Sequence, residues 1–408
     1  MGHVRGSARR DGRRLMFAGL SAQSPDKIIG LMQAFRADPR TDKVDLGVGV
    51  YRAPDGTTPV MRAVKRAEQR LWEEEATKSY TALEGDAGFH AALSGLLLGP
   101  PPEDRLAYAA TPGGTGAVRQ ALELLARANA SLCVWLPGPT WPNHPAIIDH
   151  LGLKRREYRY YDPATQCVDF DAMMADLARI GPDDVVLLHG CCHNPTGADL
   201  TLPQWQEITA HLGQTGALPL IDIAYLGFGD GPEADAQGLS HIVATLPEAL
   251  ICMSCSKNFG LYRERTGLLM ALSPNLATRD IVQGNLSNLN RQNFAFPPDH
   301  GARLVTMVLN DPALRRDWLA ELTEMRNRMQ SLRGALAEVL RAESRSDRFG
   351  FLTAQRGMFS LLGASTPQVA ALRETHGIYM IGDSRINIAG LPENDLPRLA
   401  RAFLDAGL

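Results

Sequence analysis

From about residue 105 to residue 272, short apolar runs alternate with amphipathic stretches. The runs read RLAYAA, SLCVWLP, DVVLLHG, ALPLIDIA, ALICMS and GLLMAL. Between several of them, segments such as TGAVRQALELLARA and LPQWQEITAHLGQTG place apolar residues at helical spacing. Strands that are apolar throughout and joined by helices predict an α/β fold, with a mainly parallel sheet sandwiched by helices. In such sheets ligands bind beyond the carboxyl ends of the strands. The unusual residues fall there: TPGGTGA, GPTWPNH, HNPTG, DIAYLGF and SCSK follow or close five successive runs. After about Asn310 the pattern changes to DPALRRDWLAELTEMRNRMQSLRGALAEVLRAES, one long amphipathic helix or two joined ones starting at Asp311-Pro312. Met325 and Met329 lie on its apolar face and read as core. The remainder, FGFLTAQRGMFSLLGAS and GIYMIGDSRINIAGL, predicts a smaller α+β unit.

Composition narrows the functional classes. The chain has 408 residues, 45% of them hydrophobic, enough for one large or two moderate cores. Charged residues make up 21% and the net charge is -3, which argues against a nucleic-acid partner. No run of about 18 apolar residues occurs, so no membrane span is expected. The six cysteines are scattered apart from Cys191-Cys192, a pattern of reduced thiols in a cytoplasmic compartment. The first 15 residues hold five arginines and one acid. They are expected to form a basic, disordered extension; a targeting leader or a start at Met16 are the other readings.

The lysine count changes the picture more. There are six lysines against 36 arginines, and Lys257 is the only lysine beyond residue 155. A lysine shifts its pKa readily and can attack a carbonyl, which an arginine cannot. Ser254, Ser256 and Arg265 around it are donors suited to a phosphate. A reactive amine beside a phosphate cradle points to pyridoxal phosphate. That cofactor needs an acid to keep its ring nitrogen protonated, and Asp222, flanked by Ile221 and Ile223, is such an acid; a turn cap is its plainer role. Tyr225 is placed to bond the ring hydroxyl, or to pack as a core tyrosine. Gly114 and Thr115 open a helix and can present N–H groups to an anion. The loop fails the dinucleotide fingerprint, because Arg119 stands where the third glycine belongs. Trp141 can stack on a ring or serve structurally, and the Asn194 amide can hold a ring oxygen. Cys191, Cys192 and His193 suggest zinc, but neighbours in an extended segment diverge and no second Cys/His pair follows, so no metal is expected.

With these residues in view, the chain from Met16 to Leu408 resembles the class I aminotransferases of the aspartate aminotransferase family. Within it, the chain looks most like the bacterial aromatic-amino-acid enzymes. The motifs VDLGVGVYR, TPGGTGA, PTWPNH, HGCCHNPTG, DIAYLGF, SKNFGLYRERTG and SRINIAG carry the resemblance. It implies a pyridoxal-phosphate-dependent transferase of fold type I. A large domain over residues 59–321 would bind the cofactor, and residues 16–58 and 322–408 would form a small domain that closes over the substrate. The resemblance implies a homodimer with shared active sites, and amino acids and 2-oxo acids as substrates in a ping-pong reaction. Lys257 would carry the cofactor covalently and move the proton, with Asp222, Tyr225 and Asn194 around the ring and Trp141 stacked on it. Gly114, Thr115, Ser254, Ser256 and Arg265 would hold the phosphate, joined by Tyr80 of the partner subunit. Arg385 would clamp the substrate α-carboxylate near Gly49, and Arg291 of the partner subunit would meet a side-chain carboxylate. Where the family often has glutamine and Tyr-Ser-Asn, this chain has Leu226 and Phe294-Ala295-Phe296. Those departures favour aromatic substrates beside aspartate and glutamate. A narrow aspartate aminotransferase and a cofactor-binding regulator without catalysis are the alternatives.

Overall fold

The computed structural model describes residues 9–10, 13–14, 17, 20–22 and 27–408. Its central sheet has seven strands: β1 Leu106–Pro112, β2 Cys133–Gly138, β3 Lys154–Arg159, β4 Asp184–His189, β5 Leu218–Ile223, β6 Ala249–Ser254 and β7 Thr266–Leu272. Their order is β1-β7-β6-β5-β4-β2-β3. Within this sheet β7 alone runs antiparallel to its neighbours. Alternate residues of one strand enter opposite cores, as a pleated backbone requires. Val185 and Leu187 pack in one core, Val186 and Leu188 in the other.

Helix α1, Gly113–Ala128, covers one face through Ala117, Val118, Ala121 and Leu122. Helix α2, Asn143–His150, follows β2. Helix α3, Leu202–Thr215, covers the other face through Trp205, Ile208 and Leu212. Its limits are set locally. Thr201 and Gln204 form a capping box at the start, and Gly216 turns left-handed at φ 74° to end it. Helix α4, Leu276–Asn293, packs on β1 and α1.

Helix α5, Pro312–Ser344, is a single 33-residue shaft. The Asp311 carboxylate caps it, accepting from the N–H groups of Ala313 and Leu314 at 2.8 and 3.0 Å. Met325 and Met329 are buried on its inner face, as expected. The expected division between large and small domains, at residues 321 and 322, falls inside this helix. Beyond it, Phe359–Leu361 pairs antiparallel with Arg385–Asn387, and Ile378–Tyr379 pairs with Val44–Asp45 near the start of the chain.

Strand β3 was not expected. Its sequence, KRREYR, buries only Tyr158, whose hydroxyl donates to the Leu187 carbonyl at 2.8 Å. It closes one edge of the sheet, where charged side chains discourage pairing with another chain. Most of the basic extension over residues 1–15 lies outside the described residues; within it Arg9–Arg10 and Arg13–Arg14 pair as a short antiparallel ladder. Among the described residues no helix is long and apolar enough to cross a membrane, and the six cysteines are free.

Candidate active site

Five loops at the carboxyl ends of β1, β2, β4, β5 and β6 meet around a cavity of about 250 Å3. Gly114, Thr115, Trp141, Asn194, Asp222, Tyr225, Ser254, Ser256, Lys257, Arg265 and Gly49 all line it. Eleven of the expected site residues therefore share one space. Strand direction explains this, because parallel strands deliver all their following loops to the same edge of the sheet.

Lys257 is half-buried, its Nζ 4.9 Å from the centre of the Tyr225 ring. Burial lowers its pKa to about 8; Asp222 opposes the fall, and the Arg265 and Arg385 charges add to it. Burial also pushes the Tyr225 hydroxyl up, so it stays protonated. For Asp222, burial pulls upward. The hydrogen bond from His144, with the Lys257 charge behind it, outweighs it, leaving the carboxyl below its ordinary value. An ionised acid is thus held in an apolar strand end.

Asp222 is held by a relay not expected from the sequence. Its Oδ2 lies 3.0 Å from His144 Nε2, so this nitrogen donates. His144 Nδ1 lies 2.8 Å from Thr140 Oγ1, which lies 3.0 Å from His189 Nε2. His144 is fully buried. Burial, with help from His144, lowers His189 to about 3, so its ring is neutral. His144 stands three residues after Trp141 in PTWPNH; a polar ring at the start of a helix beyond a strand end was the available signal.

The other end of the cavity is built for an anion. Helix α1 starts at Gly113 with no side-chain cap and no acid in its first turn. The Gly113 N–H donates to the Arg265 carbonyl at 2.9 Å, and the N–H groups that follow, beginning with Gly114 and Thr115 at the cavity wall, have no side-chain cap. Gly113 has φ 71°, and a Cβ there would come within 2.4 Å of Arg265 Nη2. Only glycine lets the guanidinium lie against the helix start. Arg265 Nη1 donates to Ser256 Oγ at 3.3 Å and to the Tyr262 carbonyl at 3.2 Å. The Tyr262 hydroxyl accepts from the Tyr51 N–H at 3.0 Å, tying this loop to the segment that carries Gly49.

Arg385 is buried and bonded to neutral oxygens. Its Nη1 donates to Asn194 Oδ1 at 3.1 Å and its Nη2 to the Gly47 carbonyl at 3.2 Å. The Phe359 ring lies 4.2 Å from its Cζ. Burial lowers its pKa, with Tyr225 and Asp383 opposing. No ion pair joins it to a carboxylate among the described residues, so its fork is set to receive one from a ligand.

Three expected residues do not line the cavity: Arg385, tied to its wall through Asn194, and Tyr80 and Arg291, which stand apart. Tyr80 is 82% exposed and stacks on Phe296 with centroids 4.5 Å apart. The Arg291 guanidinium lies 5.9 Å from the same ring. Neither lines this chain's cavity. Leu226 does not line it either, being fully buried, so the apolar surface expected from it is not offered to a ligand.

The Cys-Cys-His stretch also needs correcting. Residue 192 has φ 50°, so the segment is not extended there. The Cys191 and Cys192 thiols lie together, within 4.8 Å of the Asp235 carboxylate. That carboxylate is occupied by the N–H groups of Gly227, Gly229 and Asp230 at 2.7–3.0 Å. His193 stays outside the group, stacked on Tyr160 with Nδ1 2.9 Å from Thr196 Oγ1.

The family profile described as Aminotransferase class I and II matches residues 41–403. The chain is 56% identical over 394 residues to an aromatic-amino-acid aminotransferase of Paracoccus denitrificans, covering 96% of this chain and all of the relative. It is 42% identical to an aspartate aminotransferase of Salmonella typhi, over 95% of this chain and 99% of the relative. Among solved structures, it superposes with TM-score 0.94 and 39% identity on an aromatic-amino-acid aminotransferase of Burkholderia pseudomallei covalently bound to pyridoxal phosphate. That likeness covers 96% of this chain and 99% of the other.

Proposed function

Since the chain belongs to the class I and II aminotransferases, we propose that the cavity at the end of the sheet is its active site, with the residues around it dividing the work as follows. The enzyme is a pyridoxal-phosphate-dependent transaminase of aromatic and dicarboxylic amino acids, working with 2-oxo acids in two half-reactions. The observation that carries the residue reading is the juxtaposition in one cavity of a lysine lowered to about 8, an ionised buried acid and an uncapped helix start beside Arg265.

The donor set fits the cofactor from end to end. Gly114 and Thr115 N–H groups, Ser254, Ser256 and Arg265 hold the phosphate. Asp222, kept in place by His144, holds a proton on the ring nitrogen. Tyr225 and the Asn194 amide hold the ring oxygen, and Trp141 stacks on the ring. Bound there, the cofactor supplies a carbonyl carbon for the amino group and a ring that spreads negative charge from the substrate Cα. Lys257 would be the residue that carries the cofactor, and its amine, lowered to about 8, would move the proton between the substrate Cα and the cofactor's carbonyl carbon. Arg385 fixes the substrate carboxylate so that this proton points at Lys257 Nζ.

Tyr80 and Arg291 act from the partner subunit, in a cytoplasmic homodimer with shared active sites. Their exposed position on this chain supports that assignment, and the six free cysteines suit a reducing compartment. The active enzyme should elute from the soluble cell fraction at the mass of two chains; activity at the mass of one chain would refute the shared site.

Substrate breadth rests on Arg291 and the Phe294-Ala295-Phe296 segment. The exposed Arg291 guanidinium lies beside an aromatic ring and makes no ion pair among the described residues, and a guanidinium so loosely held can pair with an aspartate side chain or turn away from a phenylalanine. Comparing kcat/KM for aspartate and phenylalanine, each with 2-oxoglutarate, tests this. Values within about 100-fold of one another are expected, since a misfit side chain costs on the order of 1–3 kcal/mol. Negligible turnover of phenylalanine would leave an aspartate-specific enzyme.

A further inference from the structure

Helix α5 carries a second buried guanidinium, Arg333, 1% exposed and outside the cavity. None of its hydrogen bonds goes to a carboxylate. Nη1 donates to Ser360 Oγ at 2.5 Å and to the Leu352 carbonyl at 3.4 Å. Nη2 donates to the carbonyls of Arg356, Gly357 and Phe359 at 3.1, 2.9 and 2.6 Å. An unpaired buried charge is costly, and an apolar residue of similar volume is often the more stable choice. What a planar fork does, and an apolar chain cannot, is gather several oxygens of one segment into a fixed geometry.

The gathered segment carries Phe359, and three features of Arg385's setting lead back to it. The Phe359 ring lies 4.2 Å from the Arg385 guanidinium and would meet a Cβ on Gly49 at 3.0 Å. Phe359–Leu361 is the strand paired with Arg385–Asn387. On the other side lies Gly197, in the loop that carries Asn194. Gly197 has φ 71°, and a Cβ on it would come within 2.5 Å of the Phe359 carbonyl oxygen and 3.2 Å of Arg333 Nη2. Its carbonyl accepts from the Arg356 N–H at 2.8 Å. Asn194 in turn accepts from Arg385. The ring, the strand and the loop that fix Arg385 thus converge on one guanidinium that never reaches the ligand.

We propose that Arg333 is a positioning residue for the α-carboxylate clamp, setting the place of Arg385 through Phe359 and the Asn194 loop. The inference rests on the reading of Arg385 given above. It predicts a defect in holding a carboxylate, common to all substrates because all share that group, and separate from cofactor binding.

The test uses the holoenzyme of Arg333→Lys, which keeps the charge without the fork, and of Ser360→Ala, which loses the bond from Arg333 and the one donated to Gln355 Oε1 and should fold. KM and kcat are measured for aspartate and phenylalanine. The Kd of succinate, a dicarboxylate that cannot react, is read from the cofactor's visible spectrum. For Arg333→Lys, KM for both amino acids and the succinate Kd should rise together by about tenfold, with kcat much less affected and the resting spectrum unchanged. Ser360→Ala should move the same constants in the same direction by a smaller factor. Unchanged succinate Kd in both variants, or a fall in kcat alone, overturns the proposal. Arg385→Lys separates the two readings. If it raises KM while the Arg333 and Ser360 variants do not, only the positioning role fails; if it too leaves KM unchanged, the clamp itself is wrong.

Discussion

Lys257→Arg should yield a folded chain with transaminase activity reduced by at least about 10⁴-fold, the upper range for loss of a positioned acid–base group, before the covalent role is counted. The physical difference lies in the neutral fraction. With its pKa lowered to about 8, roughly a tenth of the Lys257 amine is neutral at pH 7. At the ordinary value near 10.4 that fraction would be about 1 in 2,500. A guanidinium, with a pKa above 12, has essentially none. It can neither bond to the cofactor's carbonyl carbon nor accept the Cα proton. The fold should survive, because Lys257 is half-buried at the cavity wall and no hydrogen bond of its Nζ would be lost. Single-turnover mixing of the cofactor-loaded variant with aspartate measures the effect. Retention of more than a few per cent of the normal rate would show that some other group moves the proton.

How much of this could be read in advance depended on whether a residue acts within its own segment. The six apolar runs became strands β1, β2, β4, β5, β6 and β7 because each is buried on both faces and so is apolar throughout. Strand β3 escaped notice because it sits at the edge and buries one residue of six. The strand-end motifs were legible because a parallel sheet gathers them regardless of detail. His144 and Asp222 are 78 residues apart, and nothing local to either tells that the loops after β2 and β5 face each other. Arg333 was hidden differently, as one of 36 arginines on a helix whose apolar period was read correctly. Its partners are four main-chain carbonyls 19 to 26 residues on and the Ser360 hydroxyl 27 residues on, for which a sequence offers no code. Leu226 shows the reverse failure. Its place beside Tyr225 suggested a lining residue, whereas the turn directs it into the core.

Asp222→Asn should be the second most damaging change, with kcat reduced on the order of 10³-fold and the fold retained. The carboxylate sits nearly buried, with a side-chain exposure of 10%, and its partner on the protein side is His144 at 3.0 Å. An asparagine of the same shape can still accept from His144. What it cannot do is hold a proton on a ring nitrogen, because an amide carries no charge to favour the cation. Removing one partner of a buried ion pair costs about 3–5 kcal/mol, which matches the expected loss at about 1.36 kcal/mol per factor of ten. The penalty should fall on proton removal from Cα, the step in which negative charge must be taken up by the ring, and not on substrate binding. Two measurements separate these. The succinate Kd should stay near normal, since Arg385 and Asn194 are untouched. The rate with Cα-deuterated aspartate should show a larger isotope effect than the unaltered enzyme, because proton abstraction has become more nearly rate-limiting. A variant that keeps kcat and loses succinate binding would place Asp222 in the substrate clamp, and the electrostatic role derived from its relay to His144 and His189 would have to be given up.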